Sequence, residues 1–129
     1  MKFTIPIAPI TKKNSQRIVQ VNGRPLILPS QKYKEYEASC RAFMPRMKKP
    51  IDFPVNVECI YYMPTRRRVD LTNLLEATAD ILVRYGILAD DNRNVLYSVD
   101  GSRVFYDKTK PRTEIYIEPV TEVERWKDE

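Results

Sequence analysis

The chain has 129 residues, 43% hydrophobic and 30% charged, enough for one domain with a real core. It contains no histidine and two isolated cysteines, Cys40 and Cys59, which excludes histidine-based triads, histidine-metal nuclease motifs and zinc sites of the usual spacing. The net charge of +5 is unevenly divided: residues 1–50 hold eleven Lys/Arg against Glu35 and Glu37, and residues 51–129 hold eleven against fifteen Asp/Glu.

A basic half joined to an acidic half suits an anionic polymer gripped by one part and cut by the other. An unevenly charged solvated surface is the plain alternative. Two lone cysteines fit a reducing compartment as small core residues. No apolar run approaches a membrane span, and the N-terminus lacks a signal-peptide core. The expectation is a cytoplasmic protein with no membrane contact. Without a Walker loop or a GxGxxG motif, no nucleotide cofactor is expected.

In chain order, Lys2–Ile7 alternates like a strand, with Pro6 pushing it towards an edge or a strand end. Pro9–Ser15 is a polar, basic loop in which Lys12 and Lys13 can hold phosphate or simply be solvated. Gln16–Val21 and Arg24–Leu28 flank Asn22-Gly23, a strong hairpin signal because both turn residues accept positive φ. Arg17 and Arg24 place charge on this hairpin, which can reach along DNA. Pro29-Ser30 introduces a helix, with Ser30 as N-cap, running to about Met44. Its Tyr33, Tyr36, Cys40 and Phe43 recur at helical spacing and read as core. Val55–Met63 alternates with Ile60 as the exception, and it delivers the chain to Pro64 and three arginines. Val95–Val99, Arg103–Tyr106 and Arg112–Pro119 read as further strands, the last half buried. Val120–Glu129 is a charged tail. The expected fold class is α/β (α+β): a single domain over 1–129, with a small mixed sheet of about four to six strands packed against two main helices.

The informative stretch is 66–92, in which a basic run leads into a helix and then an acidic turn. If Asp70 starts the helix and Gly86 ends it, Leu71, Leu74, Leu75, Ile81 and Leu82 share one arc of about 120°. Asp70, Asn73, Glu76 and Asp80 share another, on the other side, and Asp90-Asp91 can fold back towards it. So many oxygens together repel unless a cation or a proton sits among them. This pattern points to metal-assisted chemistry on a phosphodiester, with arginines holding the polyanion. Each acid also has an ordinary reading. Asp70 can be a helix N-cap, Glu76 and Asp80 can be solvated with Asp80 paired to Arg84, and Asp90-Asp91-Asn92 can be a turn.

The run from Met63 to Leu74 (Met-Pro-Thr-Arg-Arg-Arg-Val-Asp-Leu-Thr-Asn-Leu), followed by Asp80 and Asp90-Asp91, resembles the RusA family of Holliday junction resolvases. These are small endonucleases of prophages and phages. The resemblance extends to Lys13-Asn14-Ser15 and to Pro29-Ser30, and so covers most of the chain. It implies a homodimer that binds four-way DNA junctions and cuts two opposed strands symmetrically with Mg²⁺ or Mn²⁺. By position, Asp70 and Asp91 match the family's metal-binding aspartates, with Asp90 beside them. The resemblance is to a family member with an aspartate where this chain has Thr72, and a lysine important for catalysis where it has Glu76. Glu76 lies one turn beyond Thr72 and about 40° around the helix, leaning towards the N-terminus, so it is the candidate to replace the missing carboxylate. The expected site is therefore Asp70, Asp91 and Glu76, with Asp90 as a further metal ligand and Thr72, Asn73 and Asp80 in support. Lys12, Lys13, Asn14, Arg17, Arg66, Arg67 and Arg68 are the expected DNA contacts. The expected reaction is in-line hydrolysis by a metal-activated water, leaving 5′ phosphates. Two alternatives remain: a branched-DNA-binding module with reduced or lost cleavage, and a structural partner in a phage replication complex.

Overall fold

The computed structural model describes residues 1–12, 17–28 and 30–121, without the side chain of Arg17. Among these described residues seven strands and two helices follow one another as β1 Lys2–Ile5, β2 Arg17–Val21, β3 Arg24–Leu28, α1 Gln31–Cys40, β4 Val55–Met63, α2 Leu71–Arg84, β5 Leu96–Ser98, β6 Arg103–Tyr106 and β7 Arg112–Pro119. Five of the strands form one mixed sheet in the order β1-β7-β4-β5, with β6 also on β4. β1–β7 and β7–β4 are antiparallel, whereas β5 and β6 both run parallel to β4. This mixed α+β architecture is the one the sequence leads one to expect.

The alternation of β4 and β7 decides which face is buried. Val55, Val57, Cys59 and Tyr61 point into the core together with Thr113, Ile115 and Ile117 of β7. Burial is mainly what stabilises this pairing, at about 1.5–3 kcal/mol for each large apolar side chain. β5 and β6 share one edge of β4 because the chain turns between them at Asp100-Gly101. Asn56 holds that turn, its Oδ1 taking Ser98 Oγ at 2.6 Å and the Asp100 amide at 2.7 Å. Gly101 has φ 88°, and a Cβ there would meet the Glu58 carboxylate at 2.7 Å. Only glycine fits without a shift.

α1 begins as expected, with Ser30 Oγ accepting the Tyr33 amide at 3.1 Å. It ends at Cys40, however, and Arg41–Phe43 form a 3-10 turn. Phe43 is thereby carried off the core stripe and is exposed, which corrects its reading as core, while Tyr33, Tyr36 and Cys40 are buried. α2 ends in a Schellman motif at Gly86, φ 73°: the Ile87 amide donates to Leu82 and the Gly86 amide to Val83. A bridge from Ile51 to Leu88 then ties the segment after α2 to the chain before β4. Tyr61 Oη and Thr78 Oγ1, 2.7 Å apart, form a buried polar link between β4 and α2.

The β2–β3 hairpin is a separate two-stranded sheet, turning at Asn22, φ 53°, and Gly23, φ 76°. Its cross-strand pair Ile18 and Ile27 is largely exposed. Leu26 is exposed as well, and Leu28 is half-buried. Pro29 and the tail from residue 122 lie outside the described residues. Among the described residues no helix is long and apolar enough to cross a membrane.

Candidate functional site

At the end of β4 the chain leaves the sheet, and Pro64–Val69 leads into α2 without regular structure. Arg66, Arg67 and Arg68 are all exposed here. Among the described residues none of the three has a carboxylate partner; the guanidinium of Arg66 lies 4.2 Å from the Tyr106 ring centre instead. Thr65, Arg67 and Arg68 form one wall of a cleft of about 310 Å³, and Ile10, Thr11 and Lys32 contribute to the other. Uncompensated guanidinium groups along a cleft are a footprint for phosphate. Lys32 carries no local sequence signal, because only the docking of α1 beside this segment brings it in.

Asp70 sits at the N-cap position, yet its side chain does not cap the helix. Its main-chain carbonyl takes the Asn73 and Leu74 amides at 3.1 and 3.2 Å, while Oδ2 accepts only the Asn73 side-chain amide at 3.2 Å. The ordinary explanation of Asp70 as a capping residue therefore fails. Its carboxylate is exposed at the start of α2.

The faces of α2 differ from the wheel in two respects. The buried residues are Asn73, Leu74, Ala77, Thr78, Ile81 and Leu82, an arc of about 180°. Leu71 and Leu75 are only half-buried, and Asn73 belongs to the core side rather than to the open acidic face. Lys12 Nζ bonds Asp80 Oδ2 at 2.5 Å, and Asp80 lies seven residues on from Asn73, within about 20° of it around the helix. The loop thus reaches the flank on which both residues stand. Asp80 pairs with Lys12 rather than with Arg84, and Arg84 pairs with Glu37 at 3.1 Å. Lys12 is thus engaged with a carboxylate.

Thr72 and Glu76 remain exposed on the open side of α2. Asp90 and Asp91 are exposed too, Asp90 Oδ1 accepting the Asp91 amide at 2.7 Å. Asn92 does turn the chain, its Oδ1 taking the Asn94 amide at 2.9 Å. Among the described residues the carboxylates of Glu76 and Asp91 make no hydrogen bond or ion pair. Nor do any three of the Asp, Glu and Cys side chains converge into a group able to hold a metal. Asp70, Glu76, Asp90 and Asp91 therefore do not form a closed carboxylate cage. Lys13, Asn14 and the side chain of Arg17 lie outside the described residues.

The cysteines take no part in this chemistry. Burial pushes the Cys40 thiol up to about 11 and that of Cys59 up to about 12. At neutral pH neither is the thiolate a nucleophile or metal ligand must be. The site is one of hard oxygens and guanidinium groups.

The chain matches the family model described as endodeoxyribonuclease RusA over residues 6–118. No curated protein matches it.

Proposed function

This chain belongs to the RusA family of endodeoxyribonucleases, and from that premise we propose that it is a Mg²⁺-dependent resolvase of four-way DNA junctions. Mn²⁺ substitutes for Mg²⁺, and the protein works as a homodimer in the cytoplasm. The observation that carries this reading is the direct run from three uncompensated arginines into Asp70, an exposed N-cap carboxylate with no capping role. Arg67 and Arg68, with Lys32 across the cleft, bind backbone phosphates and orient the strand without reading its sequence.

The donor set fits Mg²⁺ of the open type. Such an ion takes one or two carboxylates and completes its shell with waters and substrate phosphate oxygens, so a closed group of three carboxylates is not required. Asp70 and Asp91 would hold it, with Glu76 or Asp90 as the third oxygen donor. When bound, the ion supplies charge neutralisation at the phosphate and lowers the pKa of a water for attack. Asn73 fixes the Asp70 carboxylate through its 3.2 Å hydrogen bond. Lys12 neutralises Asp80, which keeps that carboxylate from competing for the ion. In-line attack expels the 3′ oxygen and leaves a 5′ phosphate. A two-fold dimer matches the symmetry of an open junction and sets one site on each of two opposed strands.

A branched-DNA-binding module without cleavage is the second reading. It draws on Thr72 and Glu76, which stand where the resemblance implies an aspartate and a lysine, and on carboxylates that do not converge among the described residues. A labelled synthetic four-way junction, compared with linear duplex in Mg²⁺ or Mn²⁺, separates the two. Paired symmetric nicks in the junction alone, lost in Asp70→Asn and Asp91→Asn, support the resolvase. Tight junction binding with no nick at any Mn²⁺ concentration supports the binding module.

A further inference from the structure

On the sheet face away from the core, three side chains form a ladder across strands. Tyr62 of β4 is in register with Arg112 of β7 on one side and with Phe105 of β6 on the other. The Arg112 guanidinium lies 3.7 Å from the Tyr62 ring centre. The Tyr62 and Phe105 rings are stacked, 5.6 Å apart and 28° from parallel. Arg112 is itself clamped: Nε donates to Glu114 at 3.1 Å, and Nη1 to Asp107 at 3.0 Å and to the Lys110 carbonyl at 2.9 Å. Its charge is spent internally, so its role is to hold the Tyr62 ring.

The ladder has one open end. Among the described residues β6 pairs only with β4 and is a sheet edge, and Phe105 is 46% exposed. The next rung is missing. An exposed phenyl ring held in a fixed plane at a sheet edge binds a flat ring by stacking, at little entropic cost. Two residues back along β6 and on the same face, the exposed Arg103 is oriented by its Nε bond to the Gly101 carbonyl at 3.0 Å. Among the described residues it has no carboxylate partner. A π-face beside an uncompensated guanidinium is the combination that takes a base together with its phosphate.

Location selects the kind of nucleic acid. β4 and β6 run parallel, so Tyr62 and Phe105 lie at the end of the sheet from which Arg66–Arg68 leads into α2. Bases in duplex DNA are already stacked on their neighbours, whereas a base at a branch can be unpaired. We propose that Phe105, held by the Tyr62–Arg112 ladder and flanked by Arg103, is a stacking platform for an unpaired base of branched DNA. The platform rests on the DNA-cutting reading for its substrate, but its own test does not depend on cleavage.

The probe is single-stranded oligothymidylate carrying one 5-iododeoxyuridine, beside a fully paired duplex, both in EDTA. Light should crosslink the iodouracil to Phe105, as mapped by mass spectrometry. Phe105→Leu, which keeps apolar bulk but removes the ring, should lose the crosslink and bind the single strand about tenfold more weakly. Duplex affinity should be unchanged, and Phe105→Trp should restore single-strand binding. Equal single-strand binding by wild type and Phe105→Leu, a crosslink mapped elsewhere, or an equal loss on duplex would each overturn the platform. Failure to nick junctions with the Phe105 effect intact sinks the resolvase reading alone. Normal nicking with no Phe105 effect sinks the platform alone.

Discussion

Glu76 shows what a residue can and cannot disclose. Its position one turn beyond Thr72 is readable from the sequence, and both side chains stand exposed on the open side of α2. Its partners were not readable, and neither were those of Asp80. Helical spacing offered Arg84 to Asp80, but the loop at Lys12, sixty-eight residues away, took it. Glu76 has no such claimant among the described residues, so its carboxylate is available to the substrate side. If it replaces the aspartate that the resemblance implies at Thr72, Glu76→Ala should abolish metal-dependent nicking of a four-way junction while leaving junction affinity in EDTA within about twofold, because an exposed substitution rarely disturbs the fold. Adding Thr72→Asp to that variant should then recover nicking, since the two positions are about 40° apart on the helix. Near-normal cleavage by Glu76→Ala would show that Asp70 and Asp91 suffice.

Elements were legible where one face is buried and the other is not. The alternation of β4 and β7 gave the buried set directly, and Ser30 and Gly86 marked ends of α1 and α2 as capping chemistry requires. The end of α1 was less legible, because nothing local distinguishes an α turn from the 3-10 turn at Arg41–Phe43. The place of Asn73 was not legible because a helical wheel assumes one packing partner, whereas α2 meets the sheet through Thr78, α1 through Arg84 and the N-terminal loop through Asp80. Burial of β4 also has a pH signature. The Cys59 thiol rises from an ordinary value of 9.0 to about 12, chiefly through desolvation. A folded-state value above the unfolded one means that the native protein holds its proton longer. The resulting stability is fully present below pH 9 and is lost as pH climbs towards 12. Chemical denaturation followed from pH 8 upwards should show stability falling through that window, and Cys59→Ala should flatten the fall relative to wild type. An unchanged alkaline slope in the variant would place the loss on other groups, such as the buried tyrosines Tyr36 and Tyr61, which burial also shifts upward.

For the whole molecule, the division of charge in the sequence becomes a division of labour in space only in part. The basic half contributes Lys32 to the cleft, but Lys12 is spent on Asp80, and the cleft's other cations come from the acidic half. Counting charge by halves points to a polyanionic partner, but it does not locate the cations that line the cleft. The distinction is measurable through salt. Each phosphate neutralised on B-DNA contributes about −0.9 to the slope of log affinity against log salt concentration, because condensed counterions are released. Arg67 and Arg68 line the cleft and have no carboxylate partner among the described residues. Arg67→Ala should thus weaken junction and duplex binding alike and reduce the slope by about one. Lys48 and Lys49, which lie before β4 and do not line that cleft, serve as controls of equal charge. Binding titrations across a salt series would separate the cases. A slope lowered by Arg67→Ala but not by Lys48→Ala places the phosphate track along the cleft that leads to Asp70. Equal changes from both would mean that the net positive field, rather than this cleft, holds the DNA.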